Sequence, residues 1–312
     1  MELRNLGASG LRVSMVGLGC NNFGQRIDLE SSRAVIHKAL DAGITLFDTA
    51  DTYGGRGGSE TAMGQILGDR RKDIVLASKF GMAMDDGEKK GASRRYMMAA
   101  VEASLRRLKT DWLDLYQVHQ PDPLTPIEET LRGLDDLVRS GKVRYVGCSN
   151  YSAAQVVEAQ WAARHHNLNA FVSCQDEYNL LKRDLDGERL GVMQRYGLGL
   201  LPFFPLASGL LTGKHKRGAA AAGSRLATAQ FAPRFMTDAN FDIVEKLEAF
   251  VKARGRSLTE LAFSWLAARP QVSSIIAGAT SPAQISANAA AVGWRLSADD
   301  LSEIDRLAPF SG

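Results

Sequence analysis

Four residue types in this sequence, at Asp48, Tyr53, Lys79 and His119, could together move a proton onto a carbonyl oxygen. Reducing a carbonyl needs a hydride for the carbon and a proton for the oxygen. Tyrosine, with a reference pKa of about 10, is a poor proton donor near neutrality. A neighbouring ammonium favours the phenolate and lowers that pKa. An aspartate would hold the lysine charged and in place, and a histidine N–H can orient the carbonyl oxygen. This division of labour is general acid catalysis with a tuned acid. Taken singly, each residue has a plainer reading: Asp48 and Lys79 as a salt bridge, Tyr53 as a loop tyrosine, His119 as a satisfied rim histidine. Their places in the chain separate the two readings. Asp48, Lys79 and His119 each end an apolar strand, and Tyr53 follows five residues after the first.

Short apolar strands alternate with amphipathic helices along the chain. The strands are expected at Ser14–Leu18, Ile44–Asp48, Ile74–Lys79, Leu113–His119, Val143–Ser149, Ala170–Gln175, Leu198–Phe203 and Ser273–Ala277. The first seven begin about 27 to 39 residues apart, the length of a βα unit. Between them, Ile127, Leu131, Leu134 and Val138 form a helical stripe that Gly141 can end in a left-handed C′ position. Ser93 can cap a helix carrying Val101, Leu105 and Leu108, and Ser59-Glu60 and Ser152 read as further helix starts. Eight parallel strands with helices between them predict an α/β fold, a (β/α)8 TIM barrel forming one domain over residues 1–312. An open doubly wound sheet is the alternative. It would carry Gly-x-Gly-x-x-Gly after the first strand, where this chain has Gly17-Leu-Gly-Cys-Asn-Asn-Phe-Gly24. Glu2–Leu6 and Leu11–Val13 around Gly7-Ala-Ser-Gly10 predict an N-terminal β-hairpin on the barrel floor.

In such barrels the chemistry sits at the C-terminal ends of the strands. Gly19, Asn21, Asp48, Lys79, His119, Ser149, Asn150, Gln175, Phe203, Gly278 and Thr280 fall there in turn. A long loop is expected after strand seven. Its stretch from Lys214 to Asp238 is rich in Gly and Ala and carries Arg217, Arg225 and Arg234, which suits either a lid or a surface insertion. The other histidines (His37, His165, His166 and His215) fall on helices or in this loop. A metal would be the competing use of Cys148 and Cys174 near His119. Strand alternation, however, turns both away from a site faced by Ser149 and Gln175, so no metal is expected.

Composition bounds the rest. The 312 residues are 45% hydrophobic and 23% charged, a globular balance, and 38 basic against 35 acidic residues leave a net charge of +3. Basic runs such as Arg70-Arg-Lys72 and Arg106-Arg107 are scattered and form no nucleic-acid stripe. Three cysteines without short spacings give no disulfide framework, and no apolar run approaches the roughly 20 residues of a membrane helix. A cytoplasmic protein that acts on a small molecule is the expectation, with no nucleic-acid or membrane partner and no indication of oligomeric state.

Gly43-Ile-Thr-Leu-Phe-Asp48-Thr-Ala-Asp-Thr-Tyr53-Gly with Ser59-Glu60 and Gly64, then Lys79, then Asp114-Leu-Tyr-Gln-Val-His119, resembles the aldo-keto reductase superfamily. So do Gly147-Cys-Ser-Asn150, Gln175-Asp-Glu-Tyr-Asn-Leu180, Pro205-Leu-Ala-Ser-Gly209-Leu-Leu-Thr-Gly-Lys214 and Gly278-Ala-Thr-Ser-Pro-Ala-Gln284 with Asn288. The resemblance runs from about residue 3 to 290, and its details are similar to the bacterial branch related to potassium-channel β subunits. It implies an oxidoreductase that reduces aldehydes or ketones to alcohols with NADP(H) favoured and NAD(H) admitted. Tyr53 would then be the proton donor, Lys79 and Asp48 its tuners, and His119 the residue orienting the carbonyl. It further implies that Gly19, Asn21 and Asp48 border the cofactor and that Ser149, Asn150 and Gln175 hold the nicotinamide carboxamide. Phe203 would stack on the ring. Pro205, Leu206, Ser208, Gly209, Leu210 and Lys214 would meet the pyrophosphate, and Gly278, Thr280, Gln284 and Asn288 the adenosine end. Lys214 and Arg225 are the candidates to read the 2′-phosphate, with Arg225 suited by its planar fork, because the usual basic grip is missing between Gly278 and Gln284. Gln120 stands where many relatives have Trp, which opens the substrate pocket or makes it more polar. The alternatives are a cofactor-binding regulatory or redox-sensing subunit, or another TIM-barrel enzyme. Retention of all four catalytic-type residues argues against the first, and the full nucleotide set against the second.

Overall fold

A computed structural model describes residues 1–310 apart from Asp86 and Glu88. The chain opens with the antiparallel hairpin β1 (Leu3–Asn5) and β2 (Arg12–Ser14). Then follow β3 (Val16–Gly19), α1 (Leu29–Asp41), β4 (Leu46–Asp48), α2 (Tyr53–Ile66), β5 (Val75–Phe80), α3 (Arg94–Leu108), β6 (Leu113–Val118) and α4 (Ile127–Arg139). Next come β7 (Val143–Ser149), α5 (Ala153–His165), β8 (Ser173–Glu177), α6 (Glu188–Tyr196) and β9 (Gly199–Phe203). The last third holds α7 (Ala232–Phe235), α8 (Asp238–Lys252), α9 (Leu258–Ala267), β10 (Ile275–Gly278), α10 (Pro282–Ala290) and α11 (Ala298–Leu307). Strands β3 to β10 pair in parallel in chain order, and β10 returns to β3, closing the (β/α)8 barrel.

Alternation along the strands sorts the apolar residues into two cores. Leu46, Ala77, Leu115, Leu201 and Ile276 fill the barrel interior, and Leu6 and Val13 of the hairpin seal its floor. The opposite faces, among them Phe47, Leu76, Val118, Cys148 and Cys174, pack under the helices. The two cysteines therefore face the helix layer, with their sulfurs 3.7 Å apart. A side chain of this size removed from water contributes about 1.5–3 kcal/mol, so each face is fixed by burial and a one-residue register slip is excluded.

Local signals set the helix ends. Ser93 accepts from the Tyr96 amide, and Ser152 and Gln155 make a reciprocal capping box. Gly141, just past α4, has φ +76°. Ser59 does not cap. Its hydroxyl donates to the Cys20 carbonyl at 2.8 Å, and Glu60 accepts from Ser78 and Arg107, so both pin α2 to the barrel. Several strand boundaries also differ from the sequence reading, with β4 and β10 each starting two residues later than expected, at Leu46 and Ile275. Ser14 belongs to the hairpin, and the expected Ala170–Gln175 strand begins at Ser173, because Asn169 is held by two hydrogen bonds to Asp135 on α4. The long segment after β9 is not featureless. Arg217 ties it to Asp238, Asp242 and Glu245, and the short helix α7 interrupts it. No helix of the described residues is long and apolar enough to cross a membrane.

Candidate active site

Lys79 lies near the end of β5, where alternation turns it into the barrel, and none of its surface is exposed. An ammonium has three protons to donate. One goes to Asp48 Oδ2 at 2.7 Å, one to the Thr49 carbonyl at 2.8 Å, and one to the Tyr53 oxygen at 3.3 Å. The remaining Asp48 oxygen accepts from Gln175 Nε2 at 2.8 Å. The tyrosine oxygen is thus an acceptor toward Lys79, and its own O–H is left to point elsewhere. His119 completes the group, its ring edge-on to Tyr53 at 5.7 Å between centroids and 81° between planes.

The segment from Thr49 to Ser59 holds Tyr53 in this place. The Thr49 and Asp51 amides donate to the Ala77 and Lys79 carbonyls and so extend the pairing with β5 beyond Asp48. The backbone then makes a left-handed run from Gly54 to Gly57. At Gly54 (φ +70°) a Cβ would lie 2.4 Å from the Phe23 carbonyl and from the Ser59 amide, so only glycine fits. The Thr49 and Ser59 hydroxyls, 2.8 Å apart, close the loop.

The electrostatics run partly against the sequence expectation. Burial pushes the Tyr53 phenol above its usual pKa, and Asp48 adds to this, while Lys79 opposes it. Burial would depress the Lys79 ammonium, but Asp48 and Tyr53 outweigh it and raise the pKa. Burial, helped by the Lys79 charge, lowers His119 to about 3, so its imidazole stays neutral across the physiological range.

The other strand-end residues support this group. Ser149 donates to the Gln175 carbonyl at 2.7 Å, and the Asn150 amide group donates to the His119 carbonyl at 2.9 Å and to Ser149 Oγ at 3.1 Å. A cavity of about 450 Å³ opens beside Tyr53. Gly19, Asn21, Asp48 and Phe203 line it on the barrel side, followed by Pro205, Leu206, Ser208 and Gly209. Lys214, Arg225, Gly278, Thr280, Gln284 and Asn288 continue the wall. Leu210 instead turns into the outer core. The shape and polarity of this cavity fit a dinucleotide. Ala207, Ser208 and Gly209 have φ of 46°, 57° and 109°, a turn of the kind that gathers anions, and the buried Ser208 hydroxyl within it has no hydrogen-bond partner among the described residues. A Cβ on Gly278 would crowd Asn22 Nδ2 at 3.2 Å, which keeps the opposite wall thin. At the far end, Ser281 caps α10, whose N-terminus favours negative charge.

Arg225 donates to Asn22 Oδ1 at 2.8 Å and lies over the Phe204 and Phe231 rings. Burial and the Arg26 charge depress its pKa, while Tyr53 acts in the opposite direction. Through Asn22, whose amide donates to the Ala279 carbonyl at 3.1 Å, the guanidinium is tied to the wall formed by Gly278 and Thr280. Sequence reasoning missed Asn22, Arg26, Phe204 and Thr259, which also line the cavity. Asn22 and Arg26 sit in a loop whose only signal was the absent glycine fingerprint. Phe204 has φ +53°, a strained position that no sequence pattern announces.

The chain matches the model of the Aldo/keto reductase family over residues 15–309. It is 38% identical to "Probable voltage-gated potassium channel subunit beta" of Oryza sativa subsp. japonica, over 92% of this chain and 90% of the relative. It is 35% identical to "L-glyceraldehyde 3-phosphate reductase" of Escherichia coli (strain K12), over 98% and 92%. It is 34% identical to "Aldo-keto reductase YhdN" of Bacillus subtilis (strain 168), over 98% and 93%. The chain belongs to the aldo/keto reductase family and is an NAD(P)H-dependent oxidoreductase.

Proposed function

We propose that this protein reduces the carbonyl of a small aldehyde or ketone to an alcohol, with Tyr53 as the proton donor. The observation that carries this reading is the saturation of Lys79. With its three protons on Asp48, Thr49 and Tyr53, the ammonium supports negative charge on the tyrosine oxygen as the phenolic proton leaves. Burial raises the Tyr53 pKa in the resting protein, so the Lys79 contribution matters most in the transition state, where charge develops. Neutral His119 can present an N–H to the carbonyl oxygen. A reduced nicotinamide dinucleotide, NADPH favoured and NADH admitted, supplies the hydride when bound. Phe203 offers a flat apolar surface for its ring. Ser149, Asn150 and Gln175 bear the polar groups for the carboxamide, and Ser208, Gly209 and Lys214 suit the diphosphate.

The channel-subunit relatives raise a purely regulatory reading. The complete set Asp48, Tyr53, Lys79 and His119 favours catalysis over it. The name of the Escherichia coli relative suggests short phosphorylated aldehydes for a first substrate panel. The test is Tyr53→Phe, which keeps the ring and removes the proton. A placed general acid contributes about 10²–10⁴-fold, so kcat for a good aldehyde should fall by that much while cofactor affinity holds. A variant that turns over at the wild-type rate would refute the assignment.

A further inference from the structure

Two residues before Tyr53, on the same loop, Asp51 is 1% exposed, and neither carboxyl oxygen has a well-formed hydrogen bond among the described residues; the Tyr96 hydroxyl and the Thr52 amide are near enough to act on the carboxyl without reaching that geometry. Its surroundings explain why no such bond is supplied. Glu60 of α2 is the nearer claimant on the local cation, taking Arg107 of α3 at 2.7 Å and the Ser78 hydroxyl at 2.5 Å. Lys79 on β5 directs its protons to Asp48, Thr49 and Tyr53. What remains near Asp51 are two phenols, Tyr96 of α3 and Tyr116 of β6. The Tyr116 hydroxyl is itself buried without a hydrogen-bond partner among the described residues, and Asp85 acts on Tyr96 from further out. Two carboxyl groups thus share one guanidinium, and the second has two phenols and the Thr52 amide beside it but no ion-pair partner of its own. An ionised carboxylate in such a place is strongly disfavoured, whereas a neutral acid has a proton of its own to offer a phenol oxygen.

We propose that Asp51 is a positioning residue for Tyr53, held in the folded protein as the neutral carboxylic acid, whose ionisation displaces the Thr49–Ser59 loop and with it the tyrosine. The link is mechanical. The Asp51 amide is bonded to the Lys79 carbonyl at 3.1 Å, and the Tyr53 amide to the Ala50 carbonyl at 3.1 Å, so a carboxylate driven toward water pulls on both sides of the site. Burial, then Glu60, lifts the Asp51 carboxyl from 3.8 to about 7, against the opposing charges of Arg107 and Lys79. Tyr53 is raised above 10 and His119 lies at about 3, so an ionisation near neutrality belongs to neither. Its proton goes to solvent.

Part of the proposal rests on the reading of Tyr53 as proton donor, so the experiment separates the two. Infrared difference spectra of wild type against Asp51→Asn should show a protonated carboxyl band at pH 5.5 that disappears near pH 7. Melting temperatures should show wild type losing stability relative to Asp51→Asn as pH rises from about 4 through 7. The sign follows from a raised pKa, whose stabilisation is complete below the unfolded value and lost through the folded one. Neither readout uses turnover, so both stand if Tyr53 proves not to be the donor. The third readout is kcat with saturating cofactor and an uncharged aldehyde. Misplacement by an ångström can cost about 10²-fold, so wild-type kcat should fall ten- to a hundredfold above pH 7, and Asp51→Asn should lose that limb. A missing band with parallel melting profiles would overturn the proposal. So would a titrating band with kcat profiles that coincide in the two proteins. If Asp51→Asn does not fold, the wild-type band and wild-type limb must share one midpoint, and separate midpoints overturn it.

Discussion

Replacing Lys79 with methionine removes a buried charge while keeping a chain of similar length. The wild-type ammonium has no exposed surface, and Asp48 is 2% exposed, so solvent cannot take over for the missing cation. After the change, Asp48 keeps one hydrogen bond, from Gln175 at 2.8 Å, and loses its ion pair at 2.7 Å. Breaking a buried pair in this way costs about 3–5 kcal/mol, most of it from the charge left behind. At 1.4 kcal/mol per tenfold, the unfolding equilibrium shifts by about 10²–10³·⁵. A second change, Asp48→Asn, removes the stranded charge and leaves an oxygen for Gln175 to donate to. The double variant should therefore recover at least half of the lost stability, an interaction that additive sites would not show. Urea unfolding followed by circular dichroism, with a common slope, measures all four corners of the cycle. Carbonyl reduction, followed through the absorbance of the reduced nicotinamide, should be nearly abolished in both proteins, because Tyr53 loses its bond to Lys79 in each. A Lys79→Met protein as stable as wild type, or a double variant no more stable than the single, would refute the electrostatic reasoning. Normal turnover would refute the role given to Lys79.

Arg225→Ala should weaken NADPH by about tenfold or more, the 1.5–3 kcal/mol of a charged hydrogen bond, while NADH barely changes. Arg225 is bonded to Asn22, whose amide donates to the Ala279 carbonyl, so it stands at the Gly278–Gln284 wall expected to meet the adenosine end. Dissociation constants from fluorescence titration decide this, and equal weakening of both cofactors, or of neither, would show that Arg225 does not read the 2′-phosphate. His119, lowered to about 3, should show no imidazole titration by NMR between pH 5 and 8. A depressed histidine contributes stability that is present above its unfolded pKa of about 6.5 and lost as pH falls toward 3. His119→Phe should therefore flatten that part of the acid unfolding profile, and an unchanged profile would exclude a buried neutral imidazole.

Much of the candidate site was legible because it lies at the ends of strands. Asp48, Lys79 and His119 close apolar runs, and period-two alternation gives each a facing, so their convergence follows once the barrel is inferred. The same alternation correctly turned Cys148 and Cys174 toward the helices. Ser93 and Ser152 were readable as caps because a cap bonds within three residues. Ser59 has the same residue type and the wrong role, since its partners, Thr49 and the Cys20 carbonyl, come from other elements.

By itself the sequence determined the elements, their order, their buried faces and the residue types at each strand end, because these depend on local backbone preference and on the burial of nearby side chains. Only the tertiary structure decided who meets whom. Gln175 reaches Asp48 across 127 residues because the barrel closes, and that bond completes the carboxylate left half-satisfied by Lys79. The net push on the Tyr53 phenol also depended on the fold. Residue types suggested a lysine pulling its pKa down, but the depth of burial, which belongs to the packed structure and not to any segment, outweighs that pull. Asp51 shows the same limit most plainly. In the sequence it is one polar letter in a loop motif, and its character as a buried acid without an ion-pair partner arises because Glu60 takes Arg107 and Lys79 faces the other way, arrangements fixed by helices and strands distant in the chain.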